Sequence, residues 1–284
     1  MKIEIAKNSG FCFGVNNAIN KVCELVDKGK AVYTLGDIIH NDQVIENLNK
    51  RGVKAVHSFS DIPKGSVLVI RSHGIDKPTF ENIKSQNVNF VDATCPFVKR
   101  IHKIVENQPK EIEYLLLAGD CRHPETLGIR SYFKNKSFVF SSVEELEKII
   151  TDNFNFLSEK KGIMVSQTTF SIKSWRKCVE IIQKLFTDIK IYDTICNVTN
   201  LRQIESEKLA IISDLMIVIG GRKSSNTKKL YEICSQHTKT IHIERVEEIL
   251  TYDFTIYSSI GIVAGASTPM ETVYQVKKYL EIIS

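Results

Sequence analysis

The sequence predicts an α/β protein of three small domains with mostly parallel sheets, arranged about a pseudo-threefold axis. Two observations carry that expectation. Short apolar runs alternate with helix-period segments along the whole chain, the pattern of βαβ units. One arrangement of polar stations also recurs three times, with a repeat of roughly 90 to 100 residues, too long for a solenoid unit.

The first station of each repeat is a cysteine. Cys12 follows Ser9-Gly10-Phe11, Cys95 closes Asp92-Ala93-Thr94-Cys95, and Cys196 closes Asp193-Thr194-Ile195-Cys196. Each follows a short apolar run and precedes a helical pattern, so each is expected at a strand-to-helix turn. A helix N-terminus lowers a thiol pKa and favours the thiolate that metals require. The second station lies 28 positions on in all three cases, at His40, His123 and Ser224. It follows an apolar run ending in Gly: AVYTLGDIIHN, EYLLLAGDCRHPE and LMIVIGGRKSSN. The third station is His73 in VLVIRSHG, Thr168 in GIMVSQTT and Ser267 in GIVAGAST, at offsets of 61, 73 and 71 from the cysteine. Loops of variable length account for that spread. Helices are expected over VIENLNKRG, VKRIHKIVE, IRSYF, CVEIIQKLF, KKLYEIC and ETVYQVKKYLEII. The domains are expected at 1–95, 96–194 and 195–284. Ligands of parallel sheets gather at the carboxyl ends of the strands, so each domain should present one cysteine and two polar loops to a shared centre.

The whole-chain numbers narrow the function. With 284 residues and 43% hydrophobic content, the chain can bury a full core. A net charge of +5, without a long run of one sign, favours a local anionic ligand over a nucleic-acid footprint. The segment MKIEIAKNSGFCFG lacks the apolar core of a secretory signal, and no stretch approaches 18 uncharged apolar residues. A soluble cytoplasmic protein, binding neither membrane nor nucleic acid, is expected.

Seven cysteines in such a chain favour metal or catalytic roles over disulfides. Cys23, Cys178 and Cys234 fall within helical patterns and are expected as small buried hydrophobes. Cys121 lies in a loop and is undecided. Three thiolates from three domains could bind zinc, but a structural zinc site normally has four ligands and often paired CxxC spacing, which is missing here. An iron–sulfur cubane with three protein ligands would leave one iron open to substrate.

The loops supply a second half. His40, His73, Ser224, Ser225, Asn226 and Ser267 lie near glycines at expected helix starts, where backbone N–H groups meet anions, and together they suit a diphosphate. Singly, each could be an ordinary surface residue, and GGRKSSN lacks the spacing of a P-loop. His123-Pro124-Glu125 is a candidate proton-transfer element, or a helix cap with a first-turn Glu. Thr168 could orient substrate, relay a proton or cap a helix.

Taken in order, GFCFGV, GDIIHN, RSHG, DATCP, HPE, SQTT, the segment from Cys196 to Arg202-Gln203, GGRKSSN and AGAS resemble the LytB family, the 4-hydroxy-3-methylbut-2-enyl diphosphate reductases, nearly end to end. The resemblance implies a trefoil around one [4Fe-4S] cluster held by Cys12, Cys95 and Cys196, with the diphosphate held by His40, His73, Ser224, Ser225, Asn226 and Ser267. His123, Glu125 and Thr168 would handle protons, Glu125 as the donor and the substrate's diphosphate as a further relay. It implies reductive removal of the C4 hydroxyl to give isopentenyl and dimethylallyl diphosphate, the last step of the methylerythritol phosphate route. A reduced flavodoxin or ferredoxin is the implied electron donor. Thr126, Tyr132 and Leu201 depart from the family pattern without removing a proposed ligand. The rival readings are a zinc-stabilised phosphate-binding protein and an iron–sulfur reductase or dehydratase acting on another phosphorylated alcohol.

Overall fold

The computed structural model describes residues 1–283. The chain opens with β1 (Lys2–Ile5) and α1 (Phe13–Asp27), then runs through β2 (Val32–Leu35), α2 (Asp42–Lys50), β3 (Lys54–Val56), β4 (Val67–Ile70), α3 (Lys77–Ser85) and β5 (Phe90–Asp92). Next come α4 (Pro96–Glu106), β6 (Ile112–Ala118), α5 (Pro124–Ser131), β7 (Lys136–Phe140), α6 (Val143–Glu159), β8 (Lys161–Ser166), α7 (Ile172–Leu185) and β9 (Ile189–Ile191). The last part holds α8 (Asn197–Ile211), β10 (Leu215–Ile219), α9 (Ser225–Ser235), β11 (Lys239–Ile243), β12 (Ser259–Ala264) and α10 (Met270–Ile283).

The strands form three four-stranded parallel sheets with the orders β3-β2-β4-β5, β7-β6-β8-β9 and β11-β10-β12-β1. These are one topology used three times. β1 takes the edge that β5 and β9 occupy in the other sheets, with Ile3 opposite Ile260 and Ile5 opposite Ile262. The expected 1–95 unit therefore loses its first strand to the third sheet. Four residues, KIEI, with the alternating exposure of an edge strand, carry no mark of which sheet they will extend. The repeat is thus circular: Cys95 follows β5, Cys196 follows β9 and Cys12 follows β1.

Central strands such as β4 (VLVI) and β10 (LMIVI) are buried along their whole length, as parallel strands covered by helices on both faces must be. Threefold equivalence reaches individual hydrogen bonds. The N–H groups of Gly36, Gly119 and Gly220 donate to Val56, Phe140 and Ile243, the last residue of the neighbouring strand in each sheet, at 2.8, 2.8 and 2.9 Å. Helix starts follow local chemistry: Asn41 caps α2, Asp76 caps α3, Ser171 caps α7 and Ser224 caps α9, each accepting a first-turn N–H. α5 begins at Pro124, five residues before the expected IRSYF helix, because His123 caps it and proline fits the first helical position. Among the described residues, no helix is long and apolar enough to cross a membrane.

Candidate active site

Cys12, Cys95 and Cys196 each sit immediately before the first residue of α1, α4 and α8, in non-helical backbone. Their own N–H groups reach across to the third-station loops, bonding the carbonyls of Ala266, Ser72 and Thr168 at 3.0, 2.9 and 3.0 Å. These equivalent bonds bring each cysteine against the end of a neighbouring strand. Gly14 permits the meeting of two units: a Cβ there would lie 2.7 Å from Cys95 Sγ.

The expected lowering of thiol pKa at a helix start is reversed at Cys95 and Cys196. Burial pushes the Cys95 thiol up to about 11, against the pull of the Phe97 and Val98 N–H groups, which face the sulfur without full hydrogen-bond geometry. Cys12 and Cys196 raise it further. Cys196 is raised as well, again by burial first. At these two positions desolvation exceeds the helix-terminus effect, so the Cys95 and Cys196 sulfurs become thiolates only with a compensating cation beside them. A donor set of three thiols on converging helix starts fits a metal centre of that kind. Of the other cysteines, Cys178 and Cys234 are fully buried, Cys23 is half-buried and accepts from Arg51 Nη1 at 2.9 Å, and Cys121 is exposed.

Three imidazoles form the opposite wall. His40 and His73 stack with ring centroids 4.3 Å apart, and His123 stands edge-on, 5.3 Å from each. Burial lowers all three pKa values: His123 falls to about 4, His73 lies well below its usual value, and His40 is lowered too. His40 and Arg71 add to the effect on both His73 and His123, as Arg71 does on His40. Among the described residues, these three are the set whose ligand atoms approach closely enough, within 4.8 Å, to share one ion. His123 Nδ1, however, accepts the Glu125 N–H at 3.1 Å. Its neutral ring therefore carries hydrogen on Nε2 and offers a donor, which suits an anion better than a cation.

Further donors and acceptors face the same space. Both ring nitrogens of His40, Nδ1 of His73, and Oδ1 and Nδ2 of Asn226 are buried without a protein partner. Buried polar groups are normally paired, so this cluster marks a place for a polar ligand. Ser267 Oγ donates to the His40 carbonyl at 3.0 Å, tying the third unit to the first. Gly221 makes that junction possible, since a Cβ there would lie 2.5 Å from the same carbonyl oxygen.

Glu125 is 2% exposed. It accepts from Thr168 N–H at 2.7 Å and Thr168 Oγ1 at 2.9 Å. Burial nevertheless raises its pKa to about 7, outweighing both bonds. A carboxyl poised there can hold or release a proton at neutral pH.

Cys12, Cys95, Cys196, His40, His73, His123, Glu125, Thr168, Ser224, Ser225, Asn226 and Ser267 all line one cavity. All the candidate residues read from the sequence therefore meet. That reading gave no role to Arg71, which acts on all three histidines, or to the buried Arg202. The only signal for Arg202 was its place in the segment after Cys196. Of the positions departing from the family pattern, Tyr132 stacks on His102 at 4.3 Å and Leu201 is exposed.

The family model described as LytB protein matches residues 3–281. The 4-hydroxy-3-methylbut-2-enyl diphosphate reductase of Caldanaerobacter subterraneus subsp. tengcongensis is 41% identical over 274 residues, 95% of this chain and 93% of that protein. The Campylobacter hominis protein of the same name is 40% identical over 280 residues, 98% of each. A solved structure of (E)-4-hydroxy-3-methyl-but-2-enyl diphosphate reductase, the terminal enzyme of the non-mevalonate pathway, is 35% identical, with a TM-score of 0.69, covering 99% of this chain and 100% of that one. The E-1-hydroxy-2-methyl-but-2-enyl-4-diphosphate reductase of Plasmodium falciparum is 27% identical, with a TM-score of 0.89, covering 99% and 87%.

Proposed function

The chain belongs to the LytB family, and from that premise we infer that its cavity reduces (E)-4-hydroxy-3-methylbut-2-enyl diphosphate to isopentenyl and dimethylallyl diphosphate, the terminal step of the non-mevalonate pathway. The observation that carries this reading is the convergence of three buried thiols and a cluster of unpaired polar groups on one cavity. The reaction takes up two electrons and two protons, breaks the C4–O bond and releases water.

The protein is a metalloenzyme by family, and we propose that Cys12, Cys95 and Cys196 hold one [4Fe-4S] cluster. Zinc–thiolate bonds of about 2.3 Å would hold sulfurs about 3.8 Å apart around a single ion. The cysteines are not among the sets close enough to share one ion, which favours a polynuclear group. When bound, it supplies single electrons and a Lewis-acidic iron. His40, His73, Ser224, Ser225, Asn226 and Ser267 hold the diphosphate, whose negative charge favours protonation of the neutral imidazoles. His123 and Thr168 orient the substrate. Thr168 also bonds Glu125, which delivers the proton, either directly or through a diphosphate oxygen. The reductant, proposed as a reduced flavodoxin or ferredoxin, and the cytoplasmic location rest on the family resemblance.

The test is iron and acid-labile sulfide analysis of anaerobically purified protein, followed by addition of the hydroxylated diphosphate to the dithionite-reduced sample. About four irons per chain with substrate-dependent reoxidation are expected. Zinc in a colourless protein would overturn the reading and leave a phosphate-binding protein; a cluster without turnover would point to another phosphorylated alcohol.

A further inference from the structure

We propose that Arg202 is the buried counter-charge of the three-cysteine centre, a positioning residue that fixes the Cys12 loop and raises the reduction potential of the metal group held there. This rests on the cluster reading above.

Arg202 lies on α8, the helix that Cys196 begins, and is only 5% exposed. Its Nη1 donates to the Ala264 carbonyl at 2.7 Å, and its Nη2 to the Gly10 carbonyl at 2.5 Å. Ala264 ends β12, just ahead of Ser267, and Gly10 lies two residues before Cys12. One guanidinium thus joins the helix of one cysteine to the loop of another and to a strand end beside the anion cradle.

Carbonyl oxygens satisfy two N–H arms but do not neutralise a buried cation. Nε has no partner at all. The acid beside it, Glu205, is already engaged: its carboxylate accepts the backbone N–H groups of Lys7 and Asn8 at 2.5 and 2.9 Å and the Asn8 side chain at 2.9 Å. Glu205 forms no ion pair with it, and once ionised around a metal group the sulfurs of Cys12 and Cys196 act on Arg202 alongside that carboxylate. A buried charge without a paired carboxylate is costly unless another anion offsets it. Three thiolates bring negative charge into the same interior, and each electron added to the centre brings more. A fixed cation buried in the same low-dielectric interior favours the more negative, reduced form.

A purely mechanical clamp predicts something different from a counter-charge, and two variants separate them. Lysine keeps the charge but cannot span both carbonyls; glutamine keeps a donor but loses the charge. Wild type, Arg202→Lys and Arg202→Gln would be reconstituted anaerobically, assayed for iron and sulfide, and titrated for midpoint potential by electron paramagnetic resonance. Arg202→Gln should load the cluster with its reduced-to-oxidised ratio at fixed potential lowered at least tenfold, 59 mV for a one-electron couple, while Arg202→Lys stays close to wild type. If Arg202→Gln fails to load, a lysine variant that loads near the wild-type potential still supports the charge. The proposal is overturned by a fully loaded Arg202→Gln at the wild-type potential, by a lysine variant shifted as far as glutamine, or by failure of both variants to load. Wild type without iron and sulfide would instead overturn the cluster reading itself.

Discussion

Glu125 owes its proposed role to two opposing influences on one carboxyl group. Two bonds from Thr168 favour the carboxylate, and complete burial favours the acid; burial wins, and the pKa rises to about 7. A proton donor works only while protonated, so this group's contribution to kcat/KM should be full on the acid side and fall as pH rises through about 7. A pH profile flat from 6 to 9 would remove Glu125 as the titrating donor. Glu125→Gln keeps the shape and loses the acid. It should retain iron, sulfide and substrate binding while turnover drops at least ~100-fold, measured by single-turnover reduction. Asn226 makes a different prediction at the same scale. Its amide is buried with both polar atoms free for a ligand, so Asn226→Asp, which sets a negative charge against the diphosphate, should raise KM by roughly ten- to a hundredfold. An unchanged KM would place the diphosphate elsewhere.

At the scale of elements, the site is made of helix starts, and close approach between them depends on missing side chains. Gly14 lets the first turn of α1 meet Cys95. Gly14→Ala should lower bound iron and sulfide by half or more in reconstituted protein, with the three sheets still folded by circular dichroism; full occupancy would show that α1 can shift at no cost. This is also where sequence reading reached its limit. The cysteines, the polar stations and α/β alternation were legible because a parallel sheet sends its strand-end loops to one side and because the 28-residue spacing occurred three times. Arg202 was legible only as part of a motif, since its partners Ala264 and Gly10 lie 62 and 192 positions away and are backbone carbonyls that any residue could supply. The reversal of thiol pKa was hidden for a related reason: the helix start is local, whereas the burial that outweighs it comes from three units packed together. α6 is broken by a kink at Asn153, which interrupts its helical period, and α5 begins earlier than its apolar pattern because a histidine caps it.

At the scale of the whole molecule, the threefold repeat closes on itself through β1. That strand completes the third sheet, while the α1 that follows Cys12 packs with the first unit, where Val15, Ala18 and Val22 join the core containing Val32 and Val69. The short segment between β1 and α1 therefore connects two units and carries a cysteine, and the stability of the third sheet should be coupled to retention of the metal group. Ile3 and Ile5 pack against the core formed by Ile217, Ile262 and Val273. The double substitution Ile3→Ala and Ile5→Ala removes part of that packing from the edge strand. Each truncation of a half-buried isoleucine should cost about 1–2 kcal/mol, below the fully buried range. Hydrogen exchange should then quicken across β1, β12 and β10 first, with little change in β6 and β8, and bound iron should fall in step because Cys12 hangs from the loosened strand. Uniformly faster exchange across all three sheets would mean that the units unfold as a single body, and unchanged iron content would show that the Cys12 loop is held by α1 and Arg202 alone.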